Sequence, residues 1–139
     1  MNAVFLIIGS LFLGDAITSL DLNQQIIGSS CMASPTFAVS SFNVSPWPPI
    51  LGSNLALNMT GVFSLNEYIS EIVVSTYFNH NWKSHSLYID QEYLKDTLTT
   101  FFINSSSGSQ SGNYAQQMVI IGGETTLTYL ACWQFAYYI

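Results

Sequence analysis

Charge is what this chain has least of. Only 7% of its 139 residues are Asp, Glu, Lys or Arg, against about a quarter in an average soluble domain. Lys83 and Lys95 are its only Lys or Arg residues, set against eight acidic ones for a formal net charge of −6. Binding nucleic acid through its phosphates needs several cationic contacts to displace counterions, so that function is excluded. Electrostatic attraction to anionic lipid is weak for the same reason, and any peripheral membrane contact has to be apolar. Ser, Thr, Asn, Gln and Tyr are left to cover the surface. That suits an extracellular, glycosylated or assembled protein better than a cytosolic enzyme.

Chemistry-bearing motifs are equally sparse. The sequence contains no G-x-S-x-G, no H-E-x-x-H, no phosphate-binding loop and no dinucleotide fingerprint. His80 and His85, in HNHNWKSH, have no cysteine or carboxylate close by to complete a zinc set, and read as solvated loop residues. Asp90 and Glu92 share a face if their segment is extended, but a solvated acidic turn is a simpler reading than an acid/base pair. The two cysteines, Cys31 and Cys132, stand 101 positions apart and fit no redox or metal spacing. No enzyme, no metal and no cofactor is expected.

The length fits one domain with a single core. Residues Ala3 to Leu13, AVFLIIGSLFL, form an apolar run too short to span a bilayer and right for the centre of a signal peptide. Small residues at Ala16, Thr18 and Ser19 follow, so 1–19 is expected to be a signal peptide and 20–139 the folded domain, although the usual basic start is missing. Three N-x-[ST] sequons agree with secretion, at Asn43, Asn58 and Asn104. Asn104 opens the polar stretch NSSSGSQSG and is the best glycan candidate, in what reads as a flexible loop. Asn58 lies within a strand pattern, and Pro46 follows the Asn43 sequon. In a secreted chain two widely separated thiols are expected to pair, so Cys31 and Cys132 should form a disulfide between the start of the domain and its last strand.

From Pro35 onward the apolar pattern has a period of two. Leu55, Leu57, Met59 and Phe63 alternate with polar residues, as in a half-buried strand. Glu67 to Phe78 reads as a second strand, with Ile72, Val74 and Phe78 on one face, and Asn79-His80-Asn81 as the turn after it. Asp90 to Phe102 is ambiguous, with helical spacing at Tyr93, Leu94 and Leu98 and Asp90 as a cap, then a β-prone half. Gly122-Gly123 reads as the tight turn of a closing hairpin between Tyr114–Ile121 and Thr126–Ile139. Along that last strand Leu127, Tyr129, Trp133 and Phe135 share the odd-numbered face, taken as interior, while the even face is also largely apolar. The fold class is therefore all-β: an immunoglobulin-like sandwich of two sheets with one disulfide and room for one short helix. Trp47-Pro48-Pro49-Ile50-Leu51 cannot be a central strand. Trp47, Ile50 and Leu51 either border a ligand portal or touch a membrane, or else fold back over one end of the sandwich.

Several of these segments resemble the ML (lipid-recognition) domain family, and especially its ganglioside activators. Cys31 shortly before a first strand, then FAVSSFNVSPWPPILGSNLALNMTG, is similar to the early strands of that family. SGNYAQQMV and LTYLACWQF are similar to its last two. The resemblance covers Cys31 to Ile139. It implies a sandwich whose sheets part to admit lipid tails, with no catalysis. The chain departs from the family in having one cysteine pair rather than several and a shorter middle, from Lys83 to Asn113. On this reading Leu55, Leu57, Met59, Phe63, Tyr129, Trp133 and Phe135 line a pocket for an acyl chain, glycolipid or sterol. The protein would be a secreted, non-enzymatic lipid carrier, outside the cell or in the endomembrane or lysosomal lumen. A carrier that presents lipid to a hydrolase would look the same. The rival reading is a structural or assembly subunit, homo- or hetero-oligomeric, that keeps the sandwich with a reduced pocket.

Overall fold

The computed structural model describes residues 26–139; the expected signal segment lies outside them. Regular structure there is eight β-strands with no helix. Three strands, β2 (Phe37–Ser45), β3 (Asn54–Phe63) and β6 (Leu98–Ser106), form the smaller sheet in the order β2-β3-β6. The larger sheet is β1-β8-β7-β4-β5, built from β1 (Ser29–Ser30), β8 (Thr128–Tyr138), β7 (Asn113–Gly122), β4 (Glu67–Phe78) and β5 (Asn81–Tyr93). Every pairing is antiparallel. The all-β sandwich is thus the fold, and the Cys31–Cys132 disulfide is formed, with Cα atoms 5.0 Å apart.

Alternation builds the core. Leu55, Leu57, Met59 and Phe63 on β3 are wholly buried and meet Ile69, Ile72 and Val74 of β4 and Met118 and Ile120 of β7 within one cluster. Each such side chain contributes about 1.5–3 kcal/mol when buried. Aromatic rings fill both ends. The Phe37 ring lies 4.6 Å from Phe63, tilted against it, with Phe101 and Tyr93 alongside, while Phe42 lies 5.8 Å from Trp133 and 5.6 Å from Phe135. β2 and β3 approach so closely that a Cβ on Gly61 would strike the Ala38 carbonyl and the Phe37 ring.

Four expectations need correction. Asp90 to Tyr93 does not start a helix but continues β5, with Asp90 at φ 47° where the β4–β5 register shifts. A bulge absorbs the left-handed residue that sequence spacing suggests as a helix cap. The closing hairpin turns not on two glycines but over residues 123–127, because Gly122 is still paired in β7 with Thr128. Asn104 belongs to β6, not to a loop. The odd face of β8 is interior only from Ala131 onward. Opposite Ile120 and Ile121 the register slips by one, so Leu130 turns inward while Tyr129 (66% exposed) and Leu127 (65%) point to solvent. A one-residue slip moves every side chain before it to the other face.

Candidate functional site

One edge of the sandwich is laced and the other is open. On the laced side, Ser29 and Ser30 pair with Gln134 and Trp133 of β8, while the Ile27 N–H donates to the Phe42 carbonyl of the other sheet at 3.1 Å. The Trp133 indole N–H donates to the Ile27 carbonyl at 2.8 Å, and Thr36 N–H reaches Leu130 O at 2.9 Å. Cys31–Cys132 fastens this segment covalently to β8. On the far side β5 and β6 are the outer strands of their sheets and are not paired with each other.

There the sheets part into a cleft of about 560 Å³, lined among others by Phe78, Asn81, Lys83, His85, Ser105 and Tyr114. Lys83 and His85 alternate on β5 and so share its inward face; no carboxylate lines the cleft. Its lining is mostly polar, and Phe78 and Tyr114 are the aromatic residues in it. Phe78 stacks on Tyr114 at 4.3 Å, Tyr114 on Tyr137 at 5.4 Å, and Tyr137 on Phe135 at 5.9 Å. This file of rings runs from the cleft into the core.

Behind it lies a buried polar knot. Gln116 Nε2 donates to Ser106 O at 2.8 Å and to the Tyr137 hydroxyl at 3.0 Å, and that hydroxyl donates to Ser107 O at 3.0 Å. Gln116 Oε1 is buried without a hydrogen-bond partner. A buried amide oxygen left unpaired is costly. Sequence alternation offered the one available signal for this knot, since Gln116 falls on the inward face between Tyr114 and Met118.

The structure brings six of the seven expected pocket residues into one interior, all except Tyr129. That interior is solid. Leu55, Leu57, Met59 and Phe63 have no accessible surface, so no water-sized void touches them. Trp47 folds back on the sandwich, its ring 6.2 Å from Phe135, whereas Ile50 and Leu51 are 60% and 53% exposed. The three sequon asparagines lie on one surface, the outer face of the smaller sheet. Asn43 pairs with Asn58 and Asn104 with Ala56. Asn43 and Asn104 are exposed and Asn58 is half-buried. His80 sits exposed in the turn before β5, near the Tyr77 hydroxyl. Among the described residues no group of His, Cys, Asp or Glu is arranged to hold a metal ion.

No family model matches the sequence, and no curated protein matches it. Solved structures do. The C-terminal domain of wzt superposes with a TM-score of 0.69 at 10% identity, over 82% of this chain and 81% of that one. A Niemann-Pick type C2 protein from Japanese carpenter ant superposes with a TM-score of 0.59 at 12% identity, over 82% of this chain and 99% of that one. The likeness is one of fold. It shows a two-sheet β-sandwich and leaves activity to the site itself.

Tyr137 gives the knot a measurable signature. Burial pushes its phenol above the usual value of 10.0, against a smaller lowering by the Gln116 bond, and Tyr114 adds to the rise. Burial raises Tyr93 as well. The folded state therefore keeps these protons after the unfolded chain has lost them. Stability should be level below about pH 10 and fall as pH climbs beyond it. Urea unfolding between pH 8 and 11 checks this, and Tyr137→Phe should flatten the decline without abolishing it, since Tyr93 remains.

Proposed function

We propose that the protein is a non-enzymatic lipid-binding protein of the secretory pathway, taking an acyl chain or sterol between its two sheets. The open β5/β6 edge carries this reading. It is where the sandwich is held by neither strand pairing nor disulfide, and where a file of stacked rings runs from a polar cleft into the core. Because that interior is filled, a ligand has to part the sheets on entering. Each methylene buried contributes about 0.8 kcal/mol towards that cost. The unpaired Gln116 Oε1 offers an acceptor for a lipid hydroxyl. The sequence resemblance to the ML family and the fold shared with the Niemann-Pick type C2 protein support the reading. The disulfide and the three sequons on one exposed face fit a secreted or lumenal glycoprotein.

Native mass spectrometry with lipid extraction is the test. Protein from its own host should carry about one lipid per chain, and stripped protein should take up a fluorescent fatty acid or sterol. Empty native protein that takes up neither would refute lipid carriage.

One observation favours a second reading, that of an assembly subunit. β5 is a 13-residue edge strand, exposed along nearly its whole length, with one side unpaired and only Lys83, Asp90 and Glu92 charged. Such edges are templates for pairing with another chain. The same mass spectra separate the two, because a carrier is a monomer of 15.4 kDa before glycosylation and processing.

A further inference from the structure

The outer face of the larger sheet carries a second concavity, unrelated to the interior. It is a trough of about 350 Å³ lined from Ser29 on β1 to Trp82 on β5. Gly28 and Ser29 bound it at one end and Trp82 at the other, with Gln134 and Ala136 of β8 and Ala115 and Gln117 of β7 between them.

The strand register shows how it is made. Ala115 lies opposite Ala136, and these small side chains form the floor. The next member of that row is Tyr77, paired with Ala115, and then Trp82, paired with Tyr77. Trp82 is 54% exposed, with its ring propped on Tyr77 at 5.0 Å. This forms an aromatic wall at one end. Along the adjoining row Gln117 faces Gln134, which faces Ser29. On the other side Gln117 faces Ser75, whose hydroxyl is 2.7 Å from that of Ser84. Each glutamine amide presents a donor pair and an acceptor side by side, the pattern that matches adjacent hydroxyls.

None of the residues lining the trough is ionisable. A charged ligand would find no counter-charge there, and a purely apolar one would desolvate the two amides without replacing their hydrogen bonds. A flat indole, a small-residue floor and a row of amides and hydroxyls suit a ligand with apolar ring faces and equatorial hydroxyls. We propose that this trough is a binding site for a neutral oligosaccharide, lying across the strands with one sugar ring against Trp82 and its hydroxyls on Gln117 and Gln134.

The test is titration of the isotope-labelled protein with uncharged tetrasaccharides of glucose, mannose and N-acetylglucosamine, followed by amide and indole shifts. At least one sugar should move the Trp82 indole N–H and the Gln117 and Gln134 side-chain amides together. Trp82→Ala should weaken that binding about tenfold, and Gln117→Ala with Gln134→Ala should do the same. Trp82 is half exposed, so its loss should leave the melting temperature nearly unchanged. No shift with any sugar at millimolar concentration overturns the proposal. So does binding that Trp82→Ala leaves intact, or tighter binding of an uncharged extended peptide at the same residues. Lipid uptake, measured on the same variants, should be unaffected, which keeps the two sites' tests apart.

Discussion

Replacing Trp133 with alanine should lower the stability of the protein by about 3–5 kcal/mol, the range for deleting a large aromatic from a packed core. Only 9% of the side chain is accessible, and the indole lies against Phe42. Its loss does two things at once. It opens a cavity between β8 and β2, and it removes the donor that satisfies the Ile27 carbonyl at 2.8 Å. Domains of this size are stable by only about 5–15 kcal/mol, so the variant should unfold at a markedly lower urea concentration or fail to accumulate. Trp133→Phe separates the two contributions. It keeps most of the ring and loses only the hydrogen bond, and should cost about 1–3 kcal/mol. Equal unfolding midpoints for wild type and Trp133→Ala would mean that the tryptophan is not part of the core.

That Trp133 points inward was legible in the sequence, and the reason is instructive. Cys132 only sets its neighbour on the opposite face of β8, and the apolar odd-numbered residues, Phe135 among them, mark that face as the interior. The same parity rule misplaced Tyr129 and Leu127, because it assumes an uninterrupted ladder. The bulge opposite Ile120 and Ile121 inserts one residue into β8, and nothing in LTYLACW announces it. β3 reads correctly because its inward residues are large and its outward ones small or polar, while on β4 Ile72, Val74 and Phe78 share the inward face although Val73 and Tyr77 lie on the other. Trp82 to Ile89 reads as a strand, and only the end of β5, from Asp90, reads poorly, for the opposite reason. It overhangs the smaller sheet and is exposed almost throughout, so no buried face imposes alternation, and Asp90 at a positive φ looks like a helix cap.

The sites follow the same division. The interior is a property of single strands, visible as runs of alternate apolar residues. The cleft and the trough are properties of pairings. Ala115 with Ala136, and Tyr77 with Trp82, mean nothing until the strand order β8-β7-β4-β5 sets them in a row. The tryptophan of the proline-rich loop takes the second of its two expected places, folded back on the sandwich. It packs on Phe135, while Ile50 and Leu51 stay exposed to meet a membrane or a ligand.

The disulfide should carry the other large effect. Cys31 and Cys132 are separated by 101 residues, so the bridge closes a loop of nearly the whole described chain. In the chain-entropy model a loop of about that length contributes roughly 4–5 kcal/mol by restricting the unfolded state. Locally the bridge also holds β1, which spans only Ser29–Ser30, against β8. A two-residue strand makes too few ladder bonds to stay docked by itself. Its neighbour Ile27 is the acceptor for Trp133 and the donor to Phe42. Reduction, or the double variant C31S/C132S, should therefore act at two levels. The global unfolding midpoint should drop by an amount comparable to that of Trp133→Ala, and the amide protons of Ile27 and residue 31, which donate to Phe42 O and Cys132 O, should lose protection before the rest of the domain does. The two effects should not add, because both act through the same lacing. Once β1 has peeled away, Trp133 has already lost its acceptor, so Trp133→Ala in the disulfide-free background should cost less than in the intact protein. Fully additive unfolding energies would show instead that bridge and tryptophan stabilise the sandwich independently.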